Sequence, residues 1–346
     1  MIMSYKSNPN SIKSLAETMD LSVCTISRVL SGQARKYRIS EKTEEAVLAK
    51  AAQLDYTPDL TAKSLRLKKT KTLGLIVPDI SNQFFSTLAR HVELEARKGG
   101  YSIILCDSGK STLTEIESLQ LLNSRNVDGI IISPVGQVGS HFEALYKKGM
   151  PIVIVDRYFS KMKIPCVTSD NYKASVEAVS YLIENGHKKI ACIQALQDCS
   201  LNMDRVNGYR DALKAHHIEV DESLIVGNEF DEHNGYIEAK LLLKRNPRPT
   251  AIFSVGSSIT FGAIRAINEE GLTVPEDISI LSFDEQPYFA YLNPPLTAVA
   301  QENALMGEIS VKLLLAQLDT GNINKPDYVV LPAKLNIRKS VKRIRS

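Results

Sequence analysis

Residues 11–32 read SIKSLAETMDLSVCTISRVLSG. Ser11 is placed to cap a helix, with Ile12, Leu15, Ala16 and Met19 following at i, i+3, i+4 and i+7. After Asp20 and Leu21 a second cap, Ser22, opens VCTISRVL, which stops at Ser31-Gly32, where glycine suits a C-terminal stop. A connection this short forces the two helices to cross sharply, as in a helix-turn-helix. The interior positions of such a unit are Leu15, Met19, Leu21, Ile26 and Val29, with a small residue at Ala16. The turn position, often glycine, is Asp20, which tolerates a left-handed backbone better than most residues. Spacing alone fits either a DNA-binding unit or an ordinary helical hairpin.

The second helix turns Ser22, Val23, Cys24, Thr25, Ser27 and Arg28 outward. Hydroxyls near a helix N-terminus suit phosphate contacts, and an arginine suits bidentate pairing with guanine. A plain surface arginine in an ion pair is the other reading of Arg28. A third helix is expected over EKTEEAVLAKAAQL, residues 41–54, capped by Ser40, with Val47, Leu48, Ala51 and Leu54 on one face. Beyond it, YTPDLTAKSLRLKKTKT (56–72) predicts a short hinge helix after Pro58, too small to be stable alone. Leu65 is its natural apolar wedge for a minor-groove step, with Ala62 as a second DNA contact; packing against the domain beneath is the alternative.

Charge divides the chain in the same place. Residues 1–72 hold 13 Lys and Arg against 7 Asp and Glu, a net of +6 hidden inside an overall +3. Residues 73–338 carry −7, and 339–346 hold four Lys and Arg and no acid. A basic arm on an acidic body points to nucleic acid as the arm's partner. At 44% hydrophobic and 23% charged the chain can bury a core, which excludes a disordered protein. No apolar run approaches the roughly 18 residues of a membrane span. Met1–Glu17 shows no apolar stretch of the secretory kind. The five cysteines are scattered with no CxxC pair, so neither a zinc site nor a disulfide framework is expected, and a reduced cytoplasmic setting is.

From Thr72 the pattern changes. TLGLIV, YSIILC, GIIIS and PIVIVD alternate with amphipathic stretches, and a second set follows in KIACIQ, LIVGNE, TAIFSV and DISILSF. Strand–helix alternation predicts α/β architecture, with doubly wound parallel sheets in two lobes. Ligands of such sheets bind beyond the carboxyl ends of the strands. The candidates there are Asp79, Asn82, Phe84 and Phe85 after the first strand, Asp156 and Arg157 after PIVIV, Arg205 before a helix, Phe230 after LIVGNE and Asp284 after ISILSF. Carboxylates and guanidinium groups that fork onto hydroxyls, beside an aromatic face, make sugar-binding chemistry. Phe84 and Phe85 read equally well as helix core. No catalytic constellation is present. The six histidines form no HExxH or other metal pair, and neither GxSxG nor a Walker A loop occurs, so no cofactor or metal is expected.

Three segments together, SIKSLAETMDLSVCTISRVLSG, YTPDLTAKSLRLKKTKTLGLIVPDISNQFF and VPEDISILSFDEQPYFAYLNPPLTAVAQ, closely resemble the lactose/galactose-repressor family over about Ser11 to Arg338. The resemblance implies a helix-turn-helix domain (1–56), a hinge (57–72), a periplasmic-binding-protein-like effector and dimerisation core (73–338) and a basic tail (339–346). Lobe one would comprise about 73–170 and 302–330, and lobe two about 171–301 and 331–338. It implies a cytoplasmic, homodimeric repressor of carbohydrate-related genes, reading a pseudo-palindromic operator in double-stranded DNA under control of a sugar-like effector. It weights Arg205, Asp284 and Phe230 most as effector contacts. A cytoplasmic solute-binding sensor without DNA binding is the alternative. Three departures stand out: the insertion Gln33–Ile39 (QARKYRI), Asp59 where an Asn usually follows the hinge proline, and Gly256-Ser257 where Asn-Asp is common. The last implies either an effector unlike the commonest hexoses or a site that has lost tight binding.

Overall fold

The structure, a computed structural model, describes residues 11–56, 69–136, 138–321 and 327–344. The chain divides into two units, one ending at Thr70 and the other beginning at Lys71.

In the first unit α1 (Ile12–Thr18), α2 (Val23–Leu30) and α3 (Glu41–Gln53) start where serines supply the missing acceptor. The Oγ atoms of Ser11, Ser22 and Ser40 accept from the backbone N–H groups of Ser14, Thr25 and Thr43, each cap stabilising by about 1 kcal/mol. Asp20 takes φ 49°, the left-handed turn the spacing requires. Leu15, Ala16, Ile26, Val29, Ala34, Val47 and Ala51 are buried, with Met19, Leu21 and Leu54 packed at their edge. Leu48 departs from the expected face and is 48% exposed. It lies about 100° around the helix from Val47, so the two cannot share a narrow stripe.

The insertion between α2 and α3 is ordered. Gln33 N–H bonds back to Arg28 O, Ala34 is buried, and Arg35–Tyr37 make one 3₁₀ turn closed by Arg38 at φ 55°. Hinge residues 57–68, including Pro58, Asp59, Ala62 and Leu65, lie outside the described residues, while Thr72, placed in the hinge from the sequence, already begins the first strand of the second unit.

The second unit holds two six-stranded sheets with the same strand order, differing in the direction of one edge strand. Sheet one contains β1 (Thr72–Val77), β2 (Ser102–Asp107), β3 (Gly129–Ile132), β4 (Ile152–Val155), β5 (Cys166–Ser169) and β11 (Tyr328–Leu331), in the order β11-β5-β4-β3-β1-β2. Sheet two contains β6 (Ile190–Ile193), β7 (Ile225–Val226), β8 (Ala251–Ser254), β9 (Ser279–Phe283), β10 (Thr297–Gln301) and β12 (Ala333–Asn336), in the order β12-β10-β9-β8-β6-β7. All pairings are parallel except β10 with β12. β3, β4, β6 and β8 are buried along their whole length, which is why they read as unbroken apolar runs rather than alternating ones.

The connecting helices are α4 (Gln83–Lys98), α5 (Thr112–Ser124), α6 (Ser140–Lys147), α7 (Asn171–Glu184), α8 (Ser200–Ala215), α9 (Glu232–Leu243), α10 (Ser257–Glu269) and α11 (Asn303–Thr320). Gly235 and Gly262 let α9 and α10 touch, since a Cβ on either would lie within about 2 Å of a carbonyl oxygen. The chain passes between lobes three times, at 169–171, 301–303 and 331–333. α7 packs into the core of sheet two, whereas Met306, Val311 and Leu314 of α11 return to the core of sheet one. The 339–344 part of the segment expected as a basic tail is laid against lobe two. Ser340 is fully buried and bonded to Ile280 and Thr297, and Ile344 N–H reaches Asn185 O.

Candidate functional site

Two surfaces carry candidate chemistry. On the first unit the outer face of α2 presents Ser22, Val23 and Cys24 exposed, with Thr25, Ser27 and Arg28 half-buried. Ser22 Oγ serves as the cap and lies 2.8 Å from Thr25 Oγ1. Arg28 forms no side-chain hydrogen bond or ion pair among the described residues. Instead its guanidinium carbon sits 3.8 Å from the centre of the Tyr37 ring, so the ion-pair reading of Arg28 does not hold there. Ala62 and Leu65 belong to the undescribed hinge.

On the second unit the carboxyl ends of the two sheets line one cleft of about 120 Å³. Asn82, Phe84, Phe85, Asp156, Arg157, Arg205, Phe230 and Asp284 all line it. Asn82 caps α4, its Oδ1 accepting from Phe84 N–H at 3.0 Å, and this sets Phe84 and Phe85 on the first turn. Phe84 is buried in the lobe-one core yet reaches the cleft, and Phe85 meets it edge to face at 4.9 Å. Core and cleft roles are therefore combined in these two rings. Asp79 is turned toward Lys110 and Ser81 instead.

Lobe two's polar groups are tied to one another. Arg205, 1% exposed, donates from Nε to Asn171 Oδ1 at 2.8 Å and from Nη1 to Val255 O at 2.6 Å. It pairs with Asp284 Oδ2 at 3.4 Å and stacks 3.7 Å from the Phe283 ring. Gln301 Nε2 donates to Asp284 Oδ1 at 2.5 Å. In lobe one, Arg157 donates to Val135 O from Nη1, while its buried Nε has no hydrogen-bond partner among the described residues. The Val135 loop is in turn held by fully buried Glu115, which accepts from Val135 N–H at 2.7 Å and bonds His141 Nε2 at 2.6 Å. The carboxylate of Asp156 is buried and takes no hydrogen bond among the described residues. Burial pushes its pKa up to about 6 and neighbouring Asp284 adds to this, against the opposing pull of Arg157 and Arg205.

Lys110, Leu196, Leu201, Glu229, Asp231 and Gln301 also line the cleft and were not expected from the sequence. For Gln301 a signal existed, a polar residue closing the apolar run TAVAQ at a strand's carboxyl end. Among the described residues no His, Cys, Asp and Glu cluster is placed to hold a metal, and no helix is long and apolar enough to cross a membrane. The arrangement fits a small neutral molecule with several hydroxyls, gripped by carboxylates and guanidinium groups against phenylalanine faces.

Comparison with known proteins agrees in both units. Residues 11–59 match the bacterial regulatory proteins of the lacI family, and residues 179–341 match a periplasmic binding protein-like domain. The chain is 30% identical to the ribose operon repressor of Haemophilus influenzae over 93% of its length and 96% of that protein's. It is 33% identical to catabolite control protein A of Priestia megaterium, over 96% and 99%. Among solved structures, a LacI family transcriptional regulator from Enterococcus faecium with bound ribose aligns at a TM-score of 0.71 and 31% identity, covering 79% of this chain and all of that one.

Proposed function

The chain belongs to the lacI family of bacterial regulatory proteins, and from that premise we propose that it is a cytoplasmic, homodimeric transcriptional repressor, without enzymatic activity, whose grip on operator DNA is set by ribose or a closely related pentose. The observation that carries this reading is the convergence of Asp156, Arg157, Arg205, Asp284 and three phenylalanines in one cleft, in a chain that also bears a complete helix-turn-helix. Relatives named for the ribose operon, and a similar regulator with ribose bound, favour a pentose.

In a dimer the two copies of α2 would enter successive major grooves about 34 Å apart. Ser22 and Thr25 would meet phosphates at the helix N-terminus, Val23, Cys24 and Ser27 would face base edges, and Arg28 would take a guanine. Ala62 and Leu65 would open the minor groove between half-sites, which favours a deformable central step. Exposed Leu94 of α4, Leu105 of β2 and Leu113 and Leu121 of α5 border the open edge of sheet one, and support a subunit interface there. Ribose bridging the lobes would change their angle across the three crossings. Only its unequal affinity for the open and closed forms can drive that change.

The test is a titration of the full chain against genomic fragments at moderate salt, with and without ribose. A sequence-specific complex whose affinity ribose shifts by about tenfold or more is expected. Absence of any specific complex would favour the solute-binding sensor, and a specific complex indifferent to ribose would remove the pentose.

A further inference from the structure

The insertion at 33–39 places an aromatic ring against the one arginine of the reading helix. Its ends are pinned: Gln33 N–H bonds Arg28 O, Ile39 N–H bonds Ala34 O, and Ala34 sits in the helical core with Ile39 packed beside it. Between these anchors the 3₁₀ turn carries Tyr37, 42% exposed, over Arg28. A side chain so half-exposed adds little to the core, so its position over Arg28 needs another explanation.

We propose that Tyr37 is a positioning residue for base readout. Its face holds the Arg28 guanidinium in one plane while leaving the N–H edge open for a guanine. A long arginine on a helix surface otherwise loses rotamer freedom when it binds a base. Stacking on Tyr37 removes part of that freedom beforehand, so the matched base gains and mismatched bases do not. Lys36, 5.9 Å from the same ring, is the weaker neighbour, and its ammonium has no planar fork to aim. The inference rests on the reading of Arg28 as a base contact.

Selection of random duplexes with the full chain defines the preferred site, and competition titrations then read all four bases at each position. Tyr37→Ala and Tyr37→Leu should both reduce discrimination at the one base pair that Arg28→Ala also relaxes, by about two- to fivefold, the scale of an exposed cation–π contact. Tyr37→Phe should match the parent. In the Arg28→Ala background Tyr37→Ala should have no further effect at that position. A uniform loss across all sequences, a Tyr37→Phe variant as impaired as Tyr37→Ala, or a loss that persists without Arg28 would overturn the proposal. If Arg28→Ala relaxes one position and Tyr37→Ala none, the role of Tyr37 alone falls. If Arg28→Ala relaxes nothing, the base-reading assignment falls first.

Discussion

Asp156 and Asp284 occupy the same place in two sheets of the same strand order. Each follows the strand flanked by its sheet's third and fifth, each has φ 69°, and each carboxylate meets the cleft. Their surroundings differ. Asp284 is clamped by Arg205 and Gln301 before any ligand arrives. Asp156 is buried without a hydrogen bond among the described residues, beside an arginine whose Nε also lacks one. Buried polar groups without partners are costly until a partner appears. Asp284 thus has its partners in place without a ligand, whereas Asp156 has none among the described residues, although Gln301 beside Asp284 keeps a buried Oε1 without a hydrogen bond. On the proposed reading, a ligand that reaches Asp156 and Arg157 only when the lobes close would favour the closed form.

The largest expected effect sets the two arginines against each other. Arg205→Ala strands the carboxylate of Asp284, the Asn171 amide and the Val255 carbonyl, and should lower core stability by about 3–5 kcal/mol. Arg157→Ala leaves the Val135 carbonyl without its donor and removes the cation that draws the Asp156 pKa down, but strands fewer groups, and should cost less, about 1–3 kcal/mol. Urea unfolding followed by circular dichroism checks this, the chain having no tryptophan. Equal losses would dissolve the contrast between lobes.

Next comes Asp284→Ala, which removes a charged acceptor from lobe two. Ribose affinity by calorimetry should fall about 30- to 150-fold, in line with about 2–3 kcal/mol for bonds to a charged group. Operator binding without ribose should persist. A retained ribose response would place the effector elsewhere.

Asp156 makes the comparison pH-dependent. Its folded pKa of about 6 lies above the ordinary 3.8, so between those values the folded chain holds more protons than the unfolded one. Stability of the ligand-free core should therefore rise as pH falls from about 6 toward 4, and be lost as pH rises through 6. Ribose hydroxyls donate to the ionised form, so affinity should move the opposite way, falling about tenfold from pH 7.5 to pH 5. Asp156→Asn should flatten both profiles. A parent whose affinity is level across this range would show that ribose does not engage the carboxylate.

Much of this was legible in the sequence, for local reasons. Serine caps, the left-handed Asp20 and uninterrupted runs such as GIII and IVIV are decided within a few residues, and the cleft residues mostly follow such runs. What was missed is set by tertiary neighbours. Asn171 fixes Arg205 from 34 residues away in sequence, and Gln301 reaches Asp284 only because β10 lies beside β9. The strand β5, CVTS, ends in polar residues that hydrogen bonds and burial accommodate, so it does not read as an apolar run. Nothing in the local sequence marks Tyr37, because its partner Arg28 belongs to the preceding helix.

Gly256 offers the finest adjustment of the asymmetry. Its backbone is extended, and a Cβ there would sit 3.8 Å from both Asp284 Oδ2 and Phe230 Cδ1, an ordinary contact distance. A side chain can therefore enter the cleft at this point without displacing backbone, and the family resemblance puts an asparagine there. The following Ser257 accepts from Gln286 Nε2 at 2.9 Å, so its hydroxyl is already engaged. Gly256→Asn should add one hydrogen bond to a ribose hydroxyl and tighten binding about three- to tenfold, the scale of one neutral bond, while leaving the melting temperature of the ligand-free protein nearly unchanged. Weaker ribose binding in this variant, with stability preserved, would mean that the space over Gly256 is already filled by the bound effector, and would point to a pentose bearing a substituent between Phe230 and Asp284.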